Sequence, residues 1–370
     1  MTWADDGHLY SAWGDGGGFG GSNRSGRVSL GVARIEGPSD SYVGVNLFGG
    51  LDAEHPATFP GKSYGILSVE GTLYMWVLVE GFYFHKSRLY ASSDRGITWT
   101  GVDWMFEGLG GSFSVPSFLN FGRDYRGARD EYVYLYAPDA RGVYAWGDGI
   151  ELARVPRQSM LQQSAYEFFA GLDPAGNPLW VDLANIAQRQ NVITDADQGG
   201  GRIHWNVRVV YVAGQVNRYV AVYKRASSSS TSIFGASDLI MLDAPEPWGP
   251  WTTINVWPNW LQLEDTWSYS IPAKWLDPDG LRFTMVFSGR FRNGGTLNDA
   301  WNTIEGLFVL SAPGDSDGDD DVDLADVGAF QRCFGIDRLA ATCGAAYLDA
   351  TASVDLADHR LFVPLMTGPR

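Results

Sequence analysis

Up to Ala312 the apolar residues come in short runs closed by turn formers, and this rhythm limits the fold more than any single motif. Thr72-Leu73-Tyr74-Met75-Trp76-Val77-Leu78-Val79, Tyr132-Val133-Tyr134-Leu135-Tyr136 and Leu281-Arg282-Phe283-Thr284-Met285-Val286-Phe287 are β-branched and aromatic, and Gly, Asp, Asn or Pro lies close to their ends. Runs of five to eight residues are too short for helices and the right length for strands. The body is therefore expected to be all-β, with room for a helical turn or two only between Val155 and Phe169. No strand-helix alternation points to a parallel, doubly wound sheet.

A turn-plus-strand theme recurs in Ala4-Asp5-Asp6-Gly7-His8-Leu9-Tyr10, Val69-Glu70-Gly71-Thr72-Leu73-Tyr74, Leu172-Asp173-Pro174-Ala175-Gly176-Asn177-Pro178-Leu179-Trp180 and Leu276-Asp277-Pro278-Asp279-Gly280-Leu281-Arg282-Phe283. A hairpin repeated around a ring needs an acidic residue and a glycine before an aromatic strand. The expected architecture is a β-propeller. At about 60 residues per four-stranded blade, 312 residues suggest five blades, with six as the alternative and a β-sandwich as the runner-up. Ser92-Ser93-Asp94-Arg95-Gly96-Ile97-Thr98-Trp99 matches SxDxGxTW and resembles the Asp-box hairpin of sialidases and other propeller hydrolases. Its chemistry is that of a turn, with Asp94 accepting backbone N–H bonds and Trp99 wedged into the blade. Asp94 is accordingly read as scaffold.

Composition changes near Ser311-Ala312-Pro313-Gly314. All 15 tryptophans and 40 of the 46 glycines precede that point, and the 58 residues after Ala312 hold 11 Asp against 4 Arg. Residues 1–312 and 313–370 are read as separate domains. In the tail, Asp315, Asp317, Asp319, Asp321, Asp323 and Asp326 occupy positions 1, 3, 5, 7, 9 and 12 of an EF-hand-like loop, Asp321 through its carbonyl. Hard Ca2+ takes six or more oxygens, so calcium is the expected cofactor. Asp320 stands where glycine is usual, which weakens the site without abolishing it. With the run Val327-Gly328-Ala329-Phe330-Gln331-Arg332-Cys333-Phe334, this loop resembles the first duplicated segment of type I dockerin modules, implying a small α-helical calcium-binding domain and a cohesin-like partner. Val354-Asp355-Leu356-Ala357-Asp358 aligns with Val322-Asp323-Leu324-Ala325-Asp326, placing Tyr347, Asp349 and Thr351 at positions 1, 3 and 5. The second loop thus retains Asp349, Asp355 and Asp358, and weak calcium binding or none is expected there. Cys333 and Cys343 form either a disulfide or two reduced core thiols.

A net charge of −16 repels phosphate backbones and anionic membranes, so nucleic acid is not an expected partner. No apolar run is long enough to span a bilayer. Five scattered histidines form no HxH or HExxH pair. Trp13-Gly14-Asp15-Gly16-Gly17-Gly18-Phe19-Gly20-Gly21 lacks the lysine and helix of a nucleotide loop. Its glycines are expected to let the backbone approach a bulky ligand while Asp15 points into a cleft. Phe118 to Glu131 crowds Arg123 and Asp124 among aromatics, a mixture suited to sugars. Tyr166-Glu167-Phe168-Phe169 sets one carboxylate among rings. For Asp15, Asp124 and Glu167, a salt bridge or turn cap competes with catalysis.

The segments WADDGHLYSAWGDGGGFGG, FLNFGRDYRGARDEYVYLYA, VPR, AYEFFAGLD and APEPWGPWTT resemble the bacterial propeller family long classed as a domain of unknown function that includes endo-D-arabinanases. The resemblance spans roughly residues 1–312 and implies a five-bladed glycoside hydrolase acting on furanose or related polysaccharide, outside the cell or at its surface. It places Asp15 near the central pocket and implies a further catalytic acid before the WADDG strand, so that the chain start is expected to be truncated. The expected catalytic set is Asp15 with Glu167, or Asp124 in its place, and Arg123, Trp180 and Tyr166 are the expected sugar contacts. A polysaccharide lyase using Tyr or His as base, and a non-catalytic carbohydrate-binding propeller, are the competing readings.

Overall fold

The computed structural model describes the chain apart from residues 59–60, 80–84, 108–112, 141–144, 195–202, 227–236, 292–299, 311–312, 317–320, 337–342, 344–345, 347, 349–352 and 368–370. The chain is mostly β, built from successive antiparallel meanders. The first joins β1 (Thr2–Trp3), β2 (Leu9–Gly16), β3 (Val28–Glu36) and β4 (Val43–Phe48). The second joins β5 (Lys62–Val69), β6 (Thr72–Val79), β7 (Lys86–Ser92), β8 (Thr100–Gly101) and β9 (Phe106–Glu107). The third runs through β10 (Ser117–Asn120), β11 (Tyr132–Pro138), β12 (Gly149–Pro156), β13 (Glu167–Leu172) and β14 (Pro178–Asp182), with β15 (Asn191–Thr194) also on β12. The fourth contains β16 (Ile203–Val212), β17 (Arg218–Ala226), β18 (Ser237–Ala244) and β19 (Thr252–Trp257), and the fifth β20 (Leu263–Ser270), β21 (Arg282–Phe291) and β22 (Ala300–Leu307). Parallel pairing of Leu119 with Val209 and Asn120 with Val210 fuses the third and fourth into one sheet.

Alternation of side chains along each strand gives every meander two faces, and each face finds a neighbour. Tyr10, Leu30 and Val32 of the first meander pack on Ile66, Met75 and Val77 of the second. Trp76 and Leu89 of the second share a core with Tyr136 and Leu152 of the third and Val209 and Tyr219 of the fourth. Val210, Val220 and Met241 then meet Tyr269, Phe283 and Met285 of the fifth. Leu9, Ala33 and Ile35 return contact to Trp275 and Val286, and Phe19 lies 5.2 Å from Trp301, ring centre to ring centre. The repeated turn theme has a shared geometry, since Gly7, Gly71, Gly176 and Gly280 all take φ between 79° and 86°, where a Cβ is strained.

Trp76 is fully buried between the second and third meanders, stacked on Phe106 at 5.3 Å and edge-on to Tyr166 at 6.1 Å. Trp76→Ala is expected to destabilise the body by about 3–5 kcal/mol, read as a lower denaturation midpoint. A buried ion pair gives a second test. Arg189 Nε donates to Glu151 Oε1 at 2.6 Å, yet burial outweighs the arginine and raises the Glu151 carboxyl to about 7. A carboxyl raised above its unfolded value near 4.5 binds more protons folded than unfolded, so its contribution falls as pH rises from about 4.5 to about 7. Stability should therefore decline across that window by up to about 3 kcal/mol, and Glu151→Gln should remove that part of the slope in chemical denaturation.

After Gly314 a separate small core forms from Val322, Phe330, Cys333, Cys343, Ala346, Val354 and Phe362. Helices α1 (Leu324–Cys333) and α2 (Leu356–Phe362) each begin at an aspartate that closes a capping box. Cys333 and Cys343 are disulfide-bonded. Among the described residues no helix is long and apolar enough to cross a membrane.

Candidate functional site

The tail loops show their chemistry most directly. Asp326 is fully buried at the start of α1, and its two oxygens accept from Ser316 N at 2.5 Å and Asp323 N at 2.8 Å. Ligand oxygens of Asp321, Asp323 and Asp326 all lie within 4.8 Å of one another. Three convergent carboxylates suit a hard divalent cation, and buried Asp315 belongs to the same loop. Asp317 and Asp319 lie outside the described residues. The second half repeats the geometry: Asp358 Oδ1 accepts from Leu348 N at 2.7 Å and its Oδ2 from Asp355 N at 2.9 Å. The spacing of these bonds equals that of the first loop and matches the sequence alignment of the two halves. Tyr347, Asp349 and Thr351 lie outside the described residues.

Asp15 sits at the far end of β2 with φ 55° and a side chain 53% exposed. Its Oδ1 is 2.7 Å from Lys62 Nζ at the start of β5 and 3.0 Å from Arg27 Nη2. Several glycines in and beside this loop make room for the protein itself and not for a ligand, while a Cβ on Gly20 would meet open space. A Cβ on Gly31 would stand 2.3 Å from the Trp13 ring, and one on Gly18 2.2 Å from Asn46 Oδ1. Asn46 in turn accepts from Phe19 N and donates to the carbonyls of Phe19 and Leu51. The glycines let Trp13 and Asn46 tie the loop down beside Asp15.

The other expected site residues do not join Asp15. Glu167 accepts from Arg154 Nε at 2.7 Å, and the Arg154 guanidinium lies 4.1 Å from the ring centres of both Tyr132 and Trp180. Glu167 and Trp180 thus belong to one cation–π stack across the third meander, a structural use of both. Asp124 is buried, accepting from Ser68 Oγ at 2.8 Å and Gly71 N at 2.9 Å, so it fastens the β5–β6 turn. Arg123 donates to the Asp5 carbonyl and staples the first hairpin. Tyr166 is 0% exposed and its hydroxyl donates to the Met160 carbonyl at 2.7 Å, which makes it core and not a sugar contact. Asp94 holds its turn by accepting from Ser92 Oγ, Thr98 N and Thr98 Oγ1, as a scaffold residue would. Burial alone would raise its carboxyl, but these bonds bring it below the usual range.

A cleft of about 580 Å³ opens at the opposite end of β2, lined by Asp6, Tyr10, Arg34, Glu54 and Asp94 among others. Arg95 bridges Asp5 and Asp6 at 3.2 and 3.6 Å, and Arg34 bridges Glu36 and Glu54 at 2.8 and 3.4 Å. Burial, then the bond to Asp6, raises the Tyr10 phenol. The cleft was missed in the sequence because five separated segments build it, around Asp5–Tyr10, Arg34–Glu36, Leu47–Glu54, Gly71 and Ser93–Ile97. Only the Asp-Asp-Gly hairpin and the Asp box gave a local signal, and both read as turns.

No family model matches the chain, and no curated protein matches it. Among solved structures it is similar to a GH43_1 enzyme from Xanthomonas citri at TM-score 0.45 and 15% identity, covering 83% of this chain and 86% of that one. It is also similar to an α-L-arabinanase of Penicillium chrysogenum complexed with arabinobiose, at TM-score 0.41, 13% identity and coverage of 81% and 78%. A third is an endo-1,4-β-xylanase from Bacteroides thetaiotaomicron, at TM-score 0.42, 11% identity and coverage of 76% and 87%. A likeness of this degree concerns coarse shape.

Proposed function

We propose that residues 1–312 form a five-bladed β-propeller that hydrolyses glycosidic bonds in an arabinan-like or related polysaccharide outside the cell, and that residues 313–370 are a dockerin-like calcium module. The observation that carries the reading is Asp15: an accessible carboxylate on a loop fixed by Trp13 and Asn46, held from two sides by Lys62 and Arg27, and coincident with the WGDG segment. In a propeller the second strands of all blades end on one face, so Asp15 at the end of β2 stands where loops from every blade converge.

Glycoside hydrolysis generally uses two carboxyl groups, one protonating the leaving oxygen and one acting as base or nucleophile. An ion-paired carboxylate suits the second role, and Asp15 is assigned to it. Glu167 and Asp124 are not its partner, because Arg154 holds one and the β5–β6 turn the other. Incubation with a polysaccharide panel, following reducing ends and the absorbance of unsaturated products, tests the reading. New reducing ends without absorbance support hydrolysis, absorbance indicates a lyase, and binding without either product indicates a carbohydrate-binding propeller.

In the tail, Asp315, Asp317, Asp319, Asp321, Asp323 and Asp326 would hold Ca2+, and the convergence of Asp321, Asp323 and Asp326 fits that ion. Bound calcium would offset the repulsion among these carboxylates. Leu324 and Leu356, the first residues of α1 and α2, are 77% and 66% exposed, an apolar pair suited to a cohesin-like protein.

A further inference from the structure

The cleft at the opposite end of β2 from Asp15 plays no part in the chemistry proposed above. Its volume of about 580 Å³ lies in the range of about 300–1,000 Å³ usual for ligand sites. The first hairpin, β3, β4 with the segment after it, the β5–β6 turn and the Asp box each supply part of the wall, so it lies between the first and second meanders. Leu47 and Ile97 add apolar surface.

The polar lining is only partly used. Arg34 holds one oxygen of Glu36 and one of Glu54, and Arg95 holds one of Asp5 and one of Asp6. Glu36 Oε2, Glu54 Oε2 and Asp5 Oδ1 accept no hydrogen bond from the described residues, and Nη1 of each arginine donates none to them. These three carboxylates are 39%, 43% and 28% exposed, within a ligand's reach. His8 also lines the cleft, and its buried Nδ1 has no partner among the described residues. Asp94 brings the carboxylates of the lining to five against two guanidiniums. Lys274 acts on Asp6 and Glu36 from the turn before β21, yet acids remain in excess even with Lys274 and a charged His8 counted. They do not gather round a point. Among the described residues, the three carboxylates that bring ligand atoms within 4.8 Å of one another are those of the tail, so the cleft does not match a single metal ion.

We propose that the cleft is a second binding site for a cationic amino sugar, a hydroxylated ring carrying a protonated amine, at mono- or disaccharide size. The excess of carboxylate favours a cation. Unused acceptors beside unused guanidinium donors favour hydroxyls, which donate and accept in one group. A diamine without hydroxyls would engage the acceptors alone. Leu47 and Ile97 can cover the C–H surface of a ring. The inference stands apart from the hydrolase reading, since neither Asp15 nor its loop takes part.

Calorimetric titration of the full chain tests this, in excess calcium so that the amine does not collect on the tail carboxylates. The glucosamine disaccharide is expected to bind at least about tenfold more tightly than its di-N-acetylated form, cellobiose or cadaverine. Glu54→Gln and Asp5→Asn, from different segments of the wall, should each weaken it by about tenfold, while Asp15→Asn leaves it unchanged. Both cleft variants alter partly exposed ion pairs, so their melting temperatures should stay within a few degrees of the unchanged protein. Absence of binding overturns the inference, as does equal binding of the N-acetylated form, cellobiose or cadaverine, or an affinity unaltered in both Glu54→Gln and Asp5→Asn. Loss of binding in Asp15→Asn places the site on the other face and overturns it too.

Discussion

Asp15→Asn is expected to lower glycan hydrolysis by at least about a thousandfold while moving the melting temperature by only a few degrees. The substitution keeps the shape of the side chain and removes the charge that would act on water or the anomeric carbon. Its cost to the fold is small because the pairs with Arg27 and Lys62 involve a carboxylate that is about half exposed, where screening leaves an ion pair worth little. Glu167→Gln supplies the contrast. It weakens the Arg154 stack and should leave turnover near that of the unchanged protein. Full activity in Asp15→Asn, measured as reducing ends released per minute, removes Asp15 from the chemistry.

Calcium removal is expected to have the second large effect, confined to residues 313–370. Ligand oxygens of Asp321, Asp323 and buried Asp326 converge, so an ion that binds the folded loop and not the unfolded one stabilises it by mass action. At free calcium a hundredfold above Kd that contribution is about 2.7 kcal/mol. Chelation should melt the tail and spare the β body, giving two separate thermal transitions where excess calcium brings them closer. Titration is expected to give one tight site. Two sites of equal affinity would show that the second loop binds as well as the first, and a tail transition unmoved by calcium would remove the ion from the proposal.

Much of this was legible in the residues because strands and turns are local. Thr72–Val79 reads as a strand and is β6, Tyr132–Tyr136 opens β11, and the span from Val155 to Phe169 contains only two short helical turns between β12 and β13. The Asp box closes on itself within eight residues, and the matching boxes at Asp323 and Asp355 follow from two copies of one short pattern. Each of these depends on period-two alternation or on a side chain bonding backbone a few residues away.

The fates of single polar and aromatic side chains were not legible, since partners brought by the packing of one meander on another decide them. Glu167 and Tyr166 are adjacent in sequence, yet one meets Arg154 on the neighbouring strand and the other disappears beneath Trp76 and Phe106. Asp124 reads as a sugar contact until Ser68 and Gly71 arrive from another meander, and the glycines around Asp15 read as a ligand cradle until Trp13 and Asn46 fill it. The sequence by itself determined the strands, the turns and the calcium-type loop, whose signals are alternation along a strand and side chains bonding nearby backbone. Tertiary structure alone decided which carboxylates are paired or buried and which stays accessible, because burial and pairing are properties of the face a neighbouring sheet presents, and no local pattern encodes that face.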